Sequence, residues 1–256
     1  MRSLIFFGFL LVFGGVFFGL LYVNRHFQRP PPASAIWSPP ERQVRIVSFN
    51  IQHCRRGTRV VIDELAKFKP DFVLLQEVEK SDLTILADSF GGAPAIYHAS
   101  ENLGGRRASW GNAILSLHPL YDAGTIPDTG SGSFGVWATA VVDNKKFKIA
   151  SVHLAAGESG DKELSGLMEN WRSAGSPPII VGANFERAFS SLGHALMTKD
   201  WTDGLTALKR SIAIFTTAPL SRSNYLLLSK DWQLIDGSVD DSLASDHQMI
   251  WITARK

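Results

Sequence analysis

The sequence predicts one α/β domain with largely antiparallel or mixed sheets, carried behind a single apolar amino-terminal segment. Two observations lead to the domain. From Val44 onward many strand-like runs are interspersed with helical segments in no strict βαβ order, the pattern of layered α/β chains whose sheets are not purely parallel. Six of those runs also carry a polar, chemistry-capable residue at one edge: Val44–Asn50, Asp71–Glu77, Gly111–Ser116, Ile149–Leu154, Ile179–Glu186 and Ser245–Ile250.

Size and composition agree with that class. The 256 residues are 45% hydrophobic and 20% charged, ordinary for a globular protein, and α/β domains often run about 200–250 residues undivided. A net charge of +2 is too small to argue for bulk nucleic-acid binding. The single cysteine, Cys54, excludes an internal disulfide and says little about compartment.

Leu4–Val23 is 20 residues without a charge, matching the roughly 20 that cross a bilayer core as a helix. A cleaved signal peptide has an apolar region of only about 7–15 residues. Ala33-Ser34-Ala35 resembles a cleavage site, but Arg25, Arg29 and the Pro30–Pro32 run separate it from the apolar stretch. The segment therefore reads as an uncleaved signal anchor, with Gly15 and Gly19 at a spacing that packs helices. Arg2 precedes the span while Arg25 and Arg29 follow it, so charge does not separate the two sides. The expected arrangement is a short inside tail and an extracytoplasmic domain. Pro30–Pro32 and Pro39–Pro40 then form a stiff spacer. Three parts result: an anchor over 1–24, a Pro-rich linker over 25–43 and the domain over 44–256.

Within the domain, Val44–Ile51 alternates apolar and polar residues and is expected as a strand. Arg59–Phe68 has Val60, Val61, Leu65 and Phe68 at helical spacing, stopped by Pro70. Asp71–Gln76 is an expected buried strand, and Ser81 is placed to cap a helix running to about Phe90. Further strands are expected at Asn112–Leu117, Gly135–Val142, Phe147–Val152, Pro178–Gly182, Tyr225–Leu228, Gln233–Ser238 and Gln248–Thr253. Helices are expected at Asp161–Arg172 and Ala188–Met197. On this reading Asn50, Glu77, His153 and Asn184 follow their strands, whereas Asn112 and Asp246 precede theirs. Antiparallel neighbours set one strand's end beside the next strand's start, so all six can share one sheet edge.

In that order, FNI with Asn50, LLQEVE with Glu77, GNAILS with Asn112, VHL with His153 and SDH with Asp246 and His247 resemble the endonuclease/exonuclease/phosphatase superfamily. The resemblance runs from about Val44 to Thr253. It implies the deoxyribonuclease-I-like fold, a four-layer α-β-β-α sandwich. It also implies Mg²⁺- or Mn²⁺-dependent hydrolysis of phosphoester bonds in nucleic acids, phospholipids, inositol phosphates or related substrates; no specific protein partner is predicted. Hard cations prefer oxygen ligands, so Glu77 is the best metal ligand, with Asn50 and Asp246 in support. His153 and His247 are candidates for binding phosphate oxygens or for proton transfer, and Asn112 for orienting its neighbours.

Two departures bear on activity. Ala183-Asn184-Phe185-Glu186 stands where the family has GDFN or a close variant. Asn184 thus takes the place of an acid that handles the attacking water, and loss of a general base typically costs about 10²–10⁴ in rate. Asn224, in Ser223-Asn224-Tyr225-Leu226, stands where the family has an acid orienting His247; an Asp→Asn change in the serine-protease triad costs about 10⁴. Asn184 and Glu186 are two apart, on one side of an extended chain, so Glu186 could take over the missing carboxylate. Two outcomes stay open: a hydrolase of reduced activity, or a degenerate member that binds or scaffolds. Arg106 and Arg107, in a Gly-rich loop before GNAILS, are weaker candidates for holding substrate phosphate.

Overall fold

The computed structural model describes residues 43–91, 95–99, 110–126, 134–155, 158–171, 177–185, 201–208 and 222–256. The expected anchor, the linker as far as residue 42, the helix at 188–197, Glu186, Arg106 and Arg107 lie outside them. No helix among the described residues is long and apolar enough to cross a membrane.

Two six-stranded sheets form the middle of the molecule. The first runs β11-β12-β1-β2-β4-β3 and the second β5-β6-β7-β8-β10-β9. In the first, the ranges are β1 Gln43–Asn50, β2 Phe72–Glu79, β3 Ala95–Ala99, β4 Trp110–Ser116, β11 Gln233–Asp240 and β12 Met249–Arg255. The second holds β5 Leu120–Ile126, β6 Phe134–Val142, β7 Lys145–Leu154, β8 Ile179–Phe185, β9 Trp201–Asp203 and β10 Asn224–Ser229. Helices α1 (Thr58–Ala66), α2 (Lys80–Ser89), α3 (Glu158–Trp171) and α4 (Gly204–Ala207), with a short helical turn at Gln52–Cys54, complete the described elements.

Both sheets are mixed. β1 and β2 are parallel, as are β7 and β8, because α1 and α3 return the chain to the start of the next strand. The remaining pairings are antiparallel.

Period-two alternation sorts the side chains into layers. Ile46, Leu74, Ile114, Phe147, Ile149, Ile180 and Ile252 face the opposing sheet. Val47, Phe49, Val73 and Leu75 face outward against Val61 and Leu65 of α1 and Leu83 and Leu86 of α2. On the far side, Val152, Val181 and Leu227 pack against Leu164 and Trp171 of α3. These contacts make the α-β-β-α sandwich.

Near the expected site the sheets are in close contact. A Cβ at Gly182 would lie 2.7 Å from Ser48 Oγ and 2.8 Å from Leu74 Cβ, so only glycine fits there. Gln76 Nε2 donates to Ser151 Oγ across the gap (3.0 Å), and Ser151 Oγ donates back to the carbonyl of Leu75 (2.7 Å). This buried polar seam links the sheets just beneath the strand ends that carry the candidate residues.

Ser81 does not cap α2. The helix begins at Lys80 behind an extended Glu79, because β2 continues past the expected Gln76 to Glu79. The extension comes from an irregularity that also shapes the site.

Candidate functional site

The β2–β4 register shifts between Leu75 and Val78, and Glu77 in that interval has φ 52°. A left-handed conformation costs a non-glycine residue about 1–2 kcal/mol, and bulges of this kind re-aim side chains. Without the bulge, adjacent residues would point to opposite faces. With it, Gln76 binds the inter-sheet seam while Glu77, next to it, reaches the site.

Asn50, at the end of β1, holds Glu77 in place. It is fully buried, and its amide nitrogen donates to Glu77 Oε1 (2.7 Å) and to Asn184 Oδ1 (3.1 Å). Its oxygen accepts from the backbone N–H of Gln52 (3.0 Å). In this orientation Asn50 supports the carboxylate and keeps its own oxygen occupied. Gln52, His53 and Cys54 follow as one tight turn with φ of 48°, 55° and 49°. The turn brings His53 Nε2 to 3.4 Å from Glu77 Oε2, and Gln52 Nε2 donates to Asp246 Oδ2 (2.9 Å). Cys54 lies buried below, its thiol pushed up to about 12 chiefly by burial, and is therefore unreactive.

His153, near the end of β7, places Nε2 3.9 Å from Glu77 Oε1. Trp110, at the start of β4, stands beside both histidines, with ring centroids 5.4 Å from His53 and 5.5 Å from His153. Phe134 stacks on His153 and also touches Trp110, with ring centroids 5.6 and 5.4 Å apart. Asn112 donates to the carbonyl of Phe134 (2.9 Å), tying β4 to β6. Its Oδ1 is buried with no hydrogen-bond partner among the described residues; such an acceptor calls for a donor from water or substrate.

The second sheet's half is built from amides. Parallel pairing aligns Asn184 with His153, and antiparallel pairing aligns Asn224 with Asn184. Asn184 Nδ2 donates to Asn224 Oδ1, and Asn224 Nδ2 donates to the carbonyl of Gln248 (3.0 Å). His247 Nδ1 sits 3.3 Å from Asn184 Nδ2 and 3.2 Å from Asn224 Oδ1. Burial holds the His247 pKa below its ordinary value, against the raising effect of Asp246 and Glu77. With amides beside Nδ1, no adjacent carboxylate supports an imidazolium on that side, so His247 is neutral near pH 7.

The described candidates therefore meet at one edge: Asn50, Glu77, Asn112, His153, Asn184, Asn224, Asp246 and His247. Sequence reasoning did not find Gln52, His53 or Trp110. The only advance sign of Gln52 and His53 was their closeness to Asn50, and of Trp110 its closeness to Asn112.

Among the described residues no cluster of three or more His, Cys, Asp or Glu side chains surrounds a cation position. The donor set nevertheless suits a hard divalent ion. Mg²⁺ is typically held by one or two carboxylates, with waters and substrate phosphate completing its shell. Glu77 and Asp246, bridged through Asn50 and Gln52, supply two carboxylates of that kind.

A sequence profile of the Endonuclease/Exonuclease/phosphatase family matches residues 47–247. Comparison with curated proteins finds no match. Among solved structures, the human Nocturnin catalytic domain with bound sulfate anion aligns with a TM-score of 0.70 at 17% identity, covering 88% of this chain and 98% of that one. The endonuclease/exonuclease/phosphatase from Bacteroides vulgatus aligns at 0.68 and 16%, covering 83% and 98%. The mannosyl-6-phosphatase from Bacteroides thetaiotaomicron aligns at 0.68 and 12%, covering 83% and 100%. The chain belongs to the Endonuclease/Exonuclease/phosphatase family.

Proposed function

We propose that this chain is a membrane-tethered phosphoester hydrolase that depends on Mg²⁺ or Mn²⁺ and works through the anionic half of its site. Members of the family are hydrolases acting on phosphoesters. The observation that carries the reading is the strained, braced carboxylate of Glu77. Its positive φ is a cost retained at the one position where Asn50, His53 and His153 converge on a carboxylate, and backbone strain of this kind clusters at functional sites.

Glu77 and Asp246 would hold the ion, which would polarise the phosphoryl oxygen and offset charge on the leaving oxygen. Asn50 fixes Glu77. His153 offers Nε2 as a donor to a phosphate oxygen, and Trp110 and Phe134 keep its ring in place. His247, neutral, donates or accepts one hydrogen bond without carrying charge. Asn184 orients by hydrogen bonds and cannot take a proton from water; that role falls to Glu186 if any residue of the motif fills it. Leu4–Val23 would anchor the chain, with the domain outside the cytoplasm.

A second reading is favoured by the Asn184–Asn224 pair: a member that binds phosphoesters, or serves as a scaffold, without turnover. Of the neighbours, one is a mannosyl-6-phosphatase and another, zebrafish (D. rerio) TDP2, is complexed with single-strand DNA product. The test panel therefore spans DNA, RNA, lipid headgroups and sugar phosphates, each with Mg²⁺, Mn²⁺ and Ca²⁺. Turnover of one class, abolished by Glu77→Ala, is the expected result. A wild-type rate equal to that of Glu77→Ala on every substrate would establish the second reading instead.

A further inference from the structure

At the pole opposite the site, an apolar groove of about 270 Å³ opens between the carboxyl-terminal ends of α1 and α2 and the end of β4. Its lining includes Ile62, Leu65, Pro70, Leu86, Phe90 and Leu117. Leu117 is 56% exposed there, although it stands beside other large apolar side chains. The groove also adjoins the place where the domain begins. Arg45 N–H donates to Asp71 Oδ2 (2.7 Å), Asp71 N–H donates to the carbonyl of Arg45 (2.8 Å), and Arg45 Nη1 donates to the carbonyl of Phe68 (2.7 Å). Phe68 and Asp71 bracket Lys69 and Pro70, both part of the lining. The chain preceding Gln43 therefore starts at the groove's rim.

We propose that this groove receives the Ile36–Trp37 segment of the chain's own amino-terminal region. Between Gln28 and Arg42 these two are the only large apolar residues. Trp37 is six residues from Gln43, a reach of about 20 Å in extended chain, several times the roughly 5 Å spacing between neighbouring strands. Burying a tryptophan removes roughly 150–250 Å² from water. Pro39 and Pro40 restrict the intervening backbone, which lowers the ordering cost of docking.

Docking would fasten the tail to this pole and aim the site away from it. Asn50 is seven residues along β1 from Gln43, about 23 Å at strand rise. On the membrane-tethered reading, the catalytic edge faces away from the chain's own bilayer; the docking itself does not depend on that reading or on catalysis.

The test uses the full chain in detergent micelles. Ser38→Cys, which leaves Ile36 and Trp37 intact, is paired with Leu117→Cys, or with Tyr121→Cys as a control, and treated with a short bifunctional maleimide. Leu117 and Tyr121 are both exposed, so neither change threatens folding, and buried Cys54 does not compete. Docking predicts at least a tenfold excess of intramolecular cross-link for the Leu117 pair. It also predicts that Trp37→Ala lowers Tm by about 2–4 °C, the shift a loss of roughly 1 kcal/mol produces in a domain of this size. Equal yields, cross-links only between copies, or an unchanged Tm would each overturn it.

Discussion

The two sheets bring unlike halves to the shared edge. The first contributes Glu77 from a bulged, strained position, with Asp246 leading into β12. Asn50 and Gln52 brace these carboxylates from the same sheet. Among the described residues the second contributes His153, Asn184 and Asn224, and of these three only His153 can carry a charge, as a proton on its imidazole. Hydrogen bonds run from Asn50 through Asn184 and Asn224 to the Gln248 carbonyl, with each amide in the chain both donating and accepting. An amide pair therefore preserves the shape that a carboxylate pair would occupy while removing its charge. Geometry and charge are separable here: one half keeps both, and the other keeps geometry alone.

The largest expected effect comes from returning charge to the neutral half. Asn184→Asp alone would set a carboxylate oxygen against Asn224 Oδ1, so it gains little. Together, Asn184→Asp, Glu186→Asn and Asn224→Asp place two carboxylates around His247 Nδ1, which favours its protonated form. The triple variant should raise the metal-dependent rate by about 10²–10⁴, the range attributed to a positioned base and its orienting acid. The His247 ring signals in NMR should titrate at higher pH than in wild type. An unchanged rate with a raised His247 pKa would mean that the missing charge is not what limits turnover.

A mid-sized effect tests whether the halves depend on the sheet spacing. Gly182→Ala drives a methyl into Ser48 and Leu74, and overpacking of this kind costs about 1–3 kcal/mol. Urea unfolding should register that loss, together with weaker Mn²⁺ stabilisation as the Asn50–Asn184 contact stretches. Full stability would show that the sheets can separate without strain.

The smallest effect lies outside the site, in the acid-bearing first sheet. Asp240 has its pKa raised to about 6, first by burial and then by Glu64. Between the unfolded value near 4 and about 6, the folded chain keeps a proton that the unfolded chain releases. Stability contributed by this group is therefore present below about pH 4 and lost as pH rises through 6. Asp240→Asn should stabilise the protein at pH 7.5 by about 1 kcal/mol, a figure discounted for partial exposure, and leave it unchanged at pH 4. Equal gains at both pH values would point to packing instead of charge.

Much of the fold was readable in advance because local pattern carried it. Ile46, Val47 and Phe49 alternate between the two layers as their period predicts, and the expected strands at β4, β6, β7, β8, β10, β11 and β12 are present. The unread strands are β3, β5 and β9. In β5, LYDAGTI, exposed Tyr121 and Asp122 leave little apolar alternation to detect. Ser81 was misjudged as a cap because the bulge at Glu77 lengthens β2, and bulges leave no mark in residue type. The same holds for the turn at Gln52–Cys54, where none of the three residues is a glycine.

By itself the sequence determined the kind of chemistry on offer: carboxylate, imidazole and amide groups at strand edges, in an order resembling one superfamily, with amides where two acids are usual. Only the tertiary structure decided which of those groups touch. Asn50 meets Glu77 across 27 residues and Asn184 across 134, while Gln76 crosses 75 to bind Ser151. Such contacts depend on parallel or antiparallel pairing, on a one-residue shift in β2 and on the gap allowed by Gly182. The physical reason is one of range. Side-chain alternation and helical spacing are set by neighbours a few residues away, whereas hydrogen bonds between sheets need positions correct to a fraction of an ångström among segments that only the folded core brings together.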